Sequence, residues 1–141
     1  VTRITFLHGA ADRVQSAAQW LHQAWSQRLK VLVYVPDIEQ TTRLDRTLWT
    51  QPALSFLPHC HITATLAAET SILLTDRLDD PPQDDCLLNL SNELPASFSR
   101  FEHLVEIVSV ADEVRLPARE RFKFYRDRGY AIDSRDIAGG L

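Results

Sequence analysis

Lys30-Val31-Leu32-Val33-Tyr34-Val35-Pro36-Asp37 decides the fold. Its first six residues form a near-continuous run of β-branched and aromatic side chains, the pattern of a strand covered by helices on both faces in a parallel sheet. Pro36-Asp37 then closes the strand and opens a helix. Upstream, residues 2–8 alternate and are β-rich, and Gly9-Ala10-Ala11-Asp12 supplies a turn and a helix start. Val14, Ala17, Ala18, Leu21, Ala24 and Trp25 recur at three- and four-residue steps and share one helical face, with Arg13, Gln15, Gln19, His22 and Gln23 mostly elsewhere. Strand, helix and strand make a βαβ unit.

The same alternation continues downstream. The spacing predicts a helix over residues 38–50, with Leu44 and Leu48, and Ile38 as a further candidate, facing the core, and Gln51-Pro52 ending it. Phe56-Leu57-Pro58-His59-Cys60-His61 reads as a proline-interrupted loop leading into a short strand around Ile62. Residues 71–75 and 86–90 read as buried strands on either side of an acidic proline turn, Asp79-Asp80-Pro81-Pro82-Gln83-Asp84-Asp85. Residues 104–110 alternate as a strand, and residues 118–127 form a helix with Pro117 in its first turn. Residues 133–141 read as a tail prone to fray. The expected fold is α/β, one domain over residues 1–141, with a mostly parallel central sheet and helices on both faces.

Composition narrows the function classes. A chain of 141 residues buries enough surface to stand without disulfide or metal, and a net charge of −4 does not advertise a nucleic-acid binder. Cys60 and Cys86 are too few for a disulfide framework, which suits a reducing cytoplasm. The first apolar run is too short for a signal peptide, and no stretch approaches the ~20 residues of a membrane span.

An open parallel sheet invites comparison with nucleotide-binding enzymes. The four glycines, at 9, 129, 139 and 140, supply neither a G-x-G-x-x-G fingerprint nor a P-loop, so the sheet is Rossmann-like without a phosphate-binding loop. No nucleophile elbow appears, and no catalytic residue is assigned. His59-Cys60-His61 holds zinc-ligand chemistry but lacks a second ligand pair, so neither metal nor cofactor is expected. The enzyme alternative rests on fold analogy alone.

The strongest constellation lies near the C-terminus. Residues 115–128 hold six basic and two acidic side chains, a charge of +4 that leaves −8 for the remainder. At helical spacing Arg115, Arg119, Phe122, Lys123 and Arg126 share a face, setting a ring inside a fork of cations. Two interpretations stay open: a solvated basic helix with Phe122, Phe124 or Tyr125 in the core, or a docking face for a carboxylate-bearing peptide with an apolar end. Three aromatics so close cannot all face one buried stripe. Duplex DNA fits less well, because gripping phosphates needs more cations along a track.

Two stretches are familiar. Arg43-Leu44-Asp45-Arg46-Thr47-Leu48-Trp49-Thr50-Gln51-Pro52-Ala53-Leu54-Ser55-Phe56-Leu57-Pro58-His59 and Ala118-Arg119-Glu120-Arg121-Phe122-Lys123-Phe124-Tyr125-Arg126 closely resemble the chi subunit of bacterial DNA polymerase III, a clamp-loader accessory protein. The resemblance extends to length and element order. It implies a non-catalytic, cytoplasmic replication adaptor with two protein interfaces. One is for the acidic, phenylalanine-ended C-terminal tail of single-stranded DNA-binding protein, at the matching positions Arg119, Phe122, Lys123 and Val108. The other is for the psi subunit, at Trp49 and Phe56, a surface that in this family also meets a helicase-like repair protein. Family members usually carry Tyr where this chain has Phe122, which keeps the apolar wall and loses a hydroxyl.

Overall fold

A computed structural model describes residues 2–50, 58–64 and 70–141 of the chain. Its centre is a seven-stranded sheet built from β1 (Arg3–Ala10), β2 (Val31–Tyr34), β3 (His59–His61), β4 (Ile72–Thr75), β5 (Cys86–Asn89), β6 (His103–Ser109) and β7 (Ile132–Asp136). The strands lie in the order β3-β4-β2-β5-β6-β1-β7, and every neighbouring pair is parallel. Among the described residues three α-helices connect them: α1 (Arg13–Ser26), α2 (Ile38–Thr50) and α3 (Asp112–Asp127).

Alternation along each strand splits the core in two. Val31, Val33, Val35, Val105 and Ile107 pack against Val14, Ala17, Ala18 and Leu21 of α1 and Leu44 and Leu48 of α2. Leu32, Leu87, Leu104 and Val108 face the other way, onto Val114, Ala118 and Tyr125 of α3. β2 is buried on both faces, as its unbroken apolar run demands. Helices therefore cover both faces of one α/β sheet, as expected.

The short strand expected around Ile62 lies just before it, as β3 at His59–His61, and four further details differ from the sequence expectation. Ile38, a candidate for the core, is exposed at the first position of α2, where the apolar stripe has not yet turned onto the sheet. Arg13, placed on the polar side of α1, is buried: its Nε donates to Ile107 O (2.7 Å), its Nη2 to Ser91 O (2.8 Å) and its Nη1 to Asn92 Oδ1 (2.9 Å). The last helix begins at Asp112, so Pro117 stands in its second turn rather than its first. Asp112 and Glu113 there complement the positive end of the helix dipole. Finally, much of the stretch expected to fray is β7, an edge strand paired with β1 from Ile4↔Ile132 to His8↔Asp136. Buried Ile137 anchors the chain just beyond it, its N–H donating to His8 O at 2.8 Å.

Candidate functional site

In an open parallel sheet, ligand crevices form at the carboxyl ends of neighbouring strands whose chains leave toward opposite faces. β1 and β6 are such a pair, since β1 leads to α1 on one face and β6 to α3 on the other. A cavity of about 280 Å³ opens there. Its floor is apolar, with Phe6 of β1, Val108 of β6, and Ala118 and Phe122 of α3, and Arg115 and Arg119 stand among its lining residues. Phe122 is half-buried and meets Phe6 edge to face with ring centroids 5.2 Å apart. Arg119 is exposed, while Arg115 is partly covered and donates from Nη2 to Asp112 Oδ1 at 2.6 Å.

The structure therefore brings together Arg119, Phe122 and Val108 around one cavity. Lys123 is exposed and is not among the lining residues; four residues after Arg119, it continues the cationic stripe along the helix.

The seat of α3 is fixed by a charge buried in the middle of the sheet. Glu106 of β6 is fully buried and accepts from Arg121 Nε (3.0 Å), Arg121 Nη2 (3.0 Å), Tyr125 Oη (2.9 Å) and Asn89 Nδ2 (3.0 and 3.1 Å). Arg121, only 4% exposed, is thus a structural cation and does not belong to the free basic patch in which its sequence position counts it. Burial, reinforced by the Glu106 carboxylate, drives the Tyr125 phenol well above its ordinary range, so it stays a hydrogen-bond donor. The three aromatics divide accordingly. Tyr125 enters the core, Phe122 turns to the cavity, and Phe124 lies on the other flank under the Arg128 guanidinium, 4.6 Å from its ring centroid.

The first motif is held by its own polar residues. Arg43 Nη2 donates to Asp12 Oδ2 (2.7 Å), tying α2 to the start of α1, and Asp45 Oδ1 lies 2.8 Å from His59 Nε2. Leu44 and Leu48 go into the core, and Trp49 remains 58% exposed, its ring edge-on to His59 at 5.8 Å. Phe56 lies outside the described residues. In His59-Cys60-His61, Cys60 packs onto the α3-side core, while His59 meets Asp45 and His61 Nδ1 meets Thr63 Oγ1 at 2.9 Å. Among the described residues no three His, Cys, Asp or Glu side chains gather as a metal site, and no helix is long and apolar enough to cross a membrane.

A family model described as DNA polymerase III chi subunit, HolC, matches residues 1–133. The chain belongs to that family. It is similar to DNA polymerase III subunit chi of Pseudomonas aeruginosa, with 34% identity over 138 residues covering 94% of each chain. It is also similar to the Escherichia coli protein of the same name, with 27% identity over 136 residues covering 92% of this chain and 89% of that one. The Haemophilus influenzae protein is 25% identical over 114 residues, covering 80% and 79%.

Within this chi-family chain, sequence reasoning assigned the helix side of the cavity and Val108 but missed its β1 wall. Phe6 and His8 line it, and their alternation with Leu7 was visible. What alternation could not supply was which helix covers that face. Arg115 stood on the shared helical face, one turn before Arg119, and the structure adds it to the cavity.

Proposed function

We propose that this chain is a non-catalytic adaptor of DNA replication. Its cavity between β1, β6 and α3 takes the acidic, phenylalanine-ended C-terminal tail of single-stranded DNA-binding protein, and the surface around Trp49 and Phe56 docks the psi subunit. The observation that carries the proposal is the cavity: an apolar floor of Phe6, Val108 and Phe122 beside Arg115 and Arg119. Such a site suits an aromatic ring carrying a carboxylate. Family membership, and relatives named as polymerase III subunits, support the replication setting.

Magnitudes set the mode of action. Burying one ring contributes about 2–3 kcal/mol. Charge-assisted hydrogen bonds from Arg119 and Lys123 add about 1.5–3 kcal/mol each. Ordering a flexible tail takes back several kcal/mol, which leaves micromolar binding. Several tails on one single-stranded DNA-binding assembly then raise the local concentration, so the adaptor tethers through avidity. The same psi surface also meets a helicase-like repair protein, which makes those two partners mutually exclusive. No catalytic step, cofactor, membrane or sequence-specific DNA contact enters this role, and it is exercised in the bacterial cytoplasm.

Titration calorimetry with an acidic peptide ending in Pro-Phe tests the first interface. Micromolar binding is expected, lost in Arg119→Ala and lost when the peptide's terminal carboxylate is amidated; unchanged heats in both controls refute the assignment. Co-expression with psi tests the second. A heterodimer weakened by Trp49→Ala or Phe56→Ala is expected, and an unaffected complex moves the interface elsewhere.

A further inference from the structure

We infer that His8 is a third, protonation-dependent contact in the cavity, one that couples binding of an acidic peptide to proton uptake; this rests on the peptide-binding function proposed above. The placement follows from alternation along β1, up to a break at the end of the strand. Leu7 pairs with Ile107, but Ala10 pairs with Ser109, so β1 spends one residue more than β6 over the same span. Such a bulge re-aims side chains at a strand end. Leu7 and Ala10 both reach the α1 side of the sheet. Ile4 and Phe6 face α3, and His8, next in that alternation, lines the cavity mouth.

The bulge is held firmly. Gly9 adopts φ +82°, and a Cβ there would stand 2.6 Å from Asp136 Oδ1. Neighbouring main chain adds a bond, His8 O accepting from Ile137 N. The imidazole itself is exposed and makes no hydrogen bond or ion pair among the described residues. Around it, α3 presents Arg115 and Arg119, β6 and the residue after it present Ser109 and Val110, and β7 presents Ser134 and, in register with His8, Asp136. Two of these charges have local partners. Arg115 meets Asp112 at 2.6 Å, and Asp136 Oδ1 accepts from Ala138 N at 2.8 Å.

An imidazole changes charge between about pH 5 and 8. Carboxylates entering the cavity beside His8 favour the charged imidazole, so the bound complex holds more proton than the free protein. By linkage, affinity must then rise as pH falls.

The experiment is titration of the full chain with an acidic peptide ending in Pro-Phe, at pH 6.0 and 7.8 and in buffers of different ionisation enthalpy. Wild type is expected to bind about two- to fivefold tighter at the lower pH, the size of an exposed ion pair, with net proton uptake. His8→Ala, checked by thermal unfolding to be folded, is expected to bind with neither the pH dependence nor the uptake. A pH dependence that persists in His8→Ala, or is missing from wild type that binds, overturns the role of His8 alone. Failure of wild type to bind at either pH, or full binding by Arg119→Ala, overturns the proposed function instead.

Discussion

Replacing Arg121 with Met should cost more stability than any change to the exposed cations beside it, and should leave peptide binding nearly intact. Arg121 and Glu106 are joined by two 3.0 Å bonds in a site where both are buried. Removing one partner of such a pair strands the other charge and costs about 3–5 kcal/mol. Tyr125 and Asn89 still donate to Glu106 in the variant, which argues for the lower part of that range. Unfolding entropy of about 2.1 cal/mol/K per residue gives about 0.3 kcal/mol/K for this chain length, so Tm should fall by about 10–17 °C. A cycle with Glu106→Gln isolates the pair: the double variant should recover at least about 1.5 kcal/mol over additivity, since no unpaired charge remains.

Circular dichroism followed through urea and heat measures the stability side, and calorimetry with the acidic peptide, well below the midpoint, measures function. Arg121→Met should keep affinity within about threefold, because Arg121 does not line the cavity. Arg119→Ala should do the reverse, staying within about 0.5 kcal/mol of wild type in stability while losing binding. An Arg121→Met variant within 1 kcal/mol of wild type, or one that stays stable and loses the peptide, refutes this division of labour between two arginines two residues apart.

Gly9→Ala should destabilise by about 1–3 kcal/mol through its positive φ and the approach of Asp136, with hydrogen exchange rising first in residues 132–136. Phe122→Tyr should fold normally, because Phe122 borders the cavity, and a peptide affinity changed more than tenfold would place its ring elsewhere. In thiol titration at pH 8, Cys60 should react first, since burial pushes the Cys86 thiol up to about 12; equal rates would contradict the native packing of β5. His103 should make the fold less stable in mild acid. Burial, helped by Arg3, lowers its folded pKa below the ordinary 6.5, so its contribution is present above that value and is lost as pH falls toward the folded pKa; His103→Gln should flatten that part of the unfolding profile.

Elements whose residues are dictated by packing were legible in the sequence, and those dictated by neighbours were not. The run from Val31 to Val35 carries the β-branched pattern of a strand covered on both faces, and β2 is one. β7 was hidden because an edge strand needs only one backbone partner, and Ile132-Asp133-Ser134-Arg135-Asp136 carries no buried alternation. The first turn of α3 was hidden by Pro117, which suggests a helix start but tolerates the second turn here. Within the candidate site, Arg119, Phe122 and Val108 were readable from the motif and the helical face. In sequence Arg121 counted only as one of six basic side chains, although a sign of its buried pairing was present in Leu104-Val105-Glu106-Ile107-Val108. A carboxylate in the middle of so apolar a strand must find a buried cation, and the helix that follows is the nearest supply.

On a sheet of nucleotide-binding type, the first helix and its neighbours support the proposed peptide ligand over a phosphate. Phosphates in such folds sit on the free N–H groups at the start of the first helix. In this chain that place is occupied from within. Asp12 Oδ1 accepts from Val14 N at 3.1 Å and Gln15 N at 3.2 Å, and contacts to these N–H groups and Arg43 outweigh partial burial to hold its carboxyl below the ordinary range. Beside it, Arg13 closes over the ends of β5 and β6 through Ser91 O, Asn92 Oδ1 and Ile107 O, burial bringing its guanidinium to about 10 despite the favourable charge of Glu106. With the helix terminus capped and these strand ends plugged, the opening that remains at this switch point lies across the sheet, between β1, β6 and α3. Its donors are side-chain guanidiniums on one helix rather than converging backbone N–H groups, and its floor is aromatic. A phosphate group would leave that floor unused, whereas a chain ending in a ring and a carboxylate uses both.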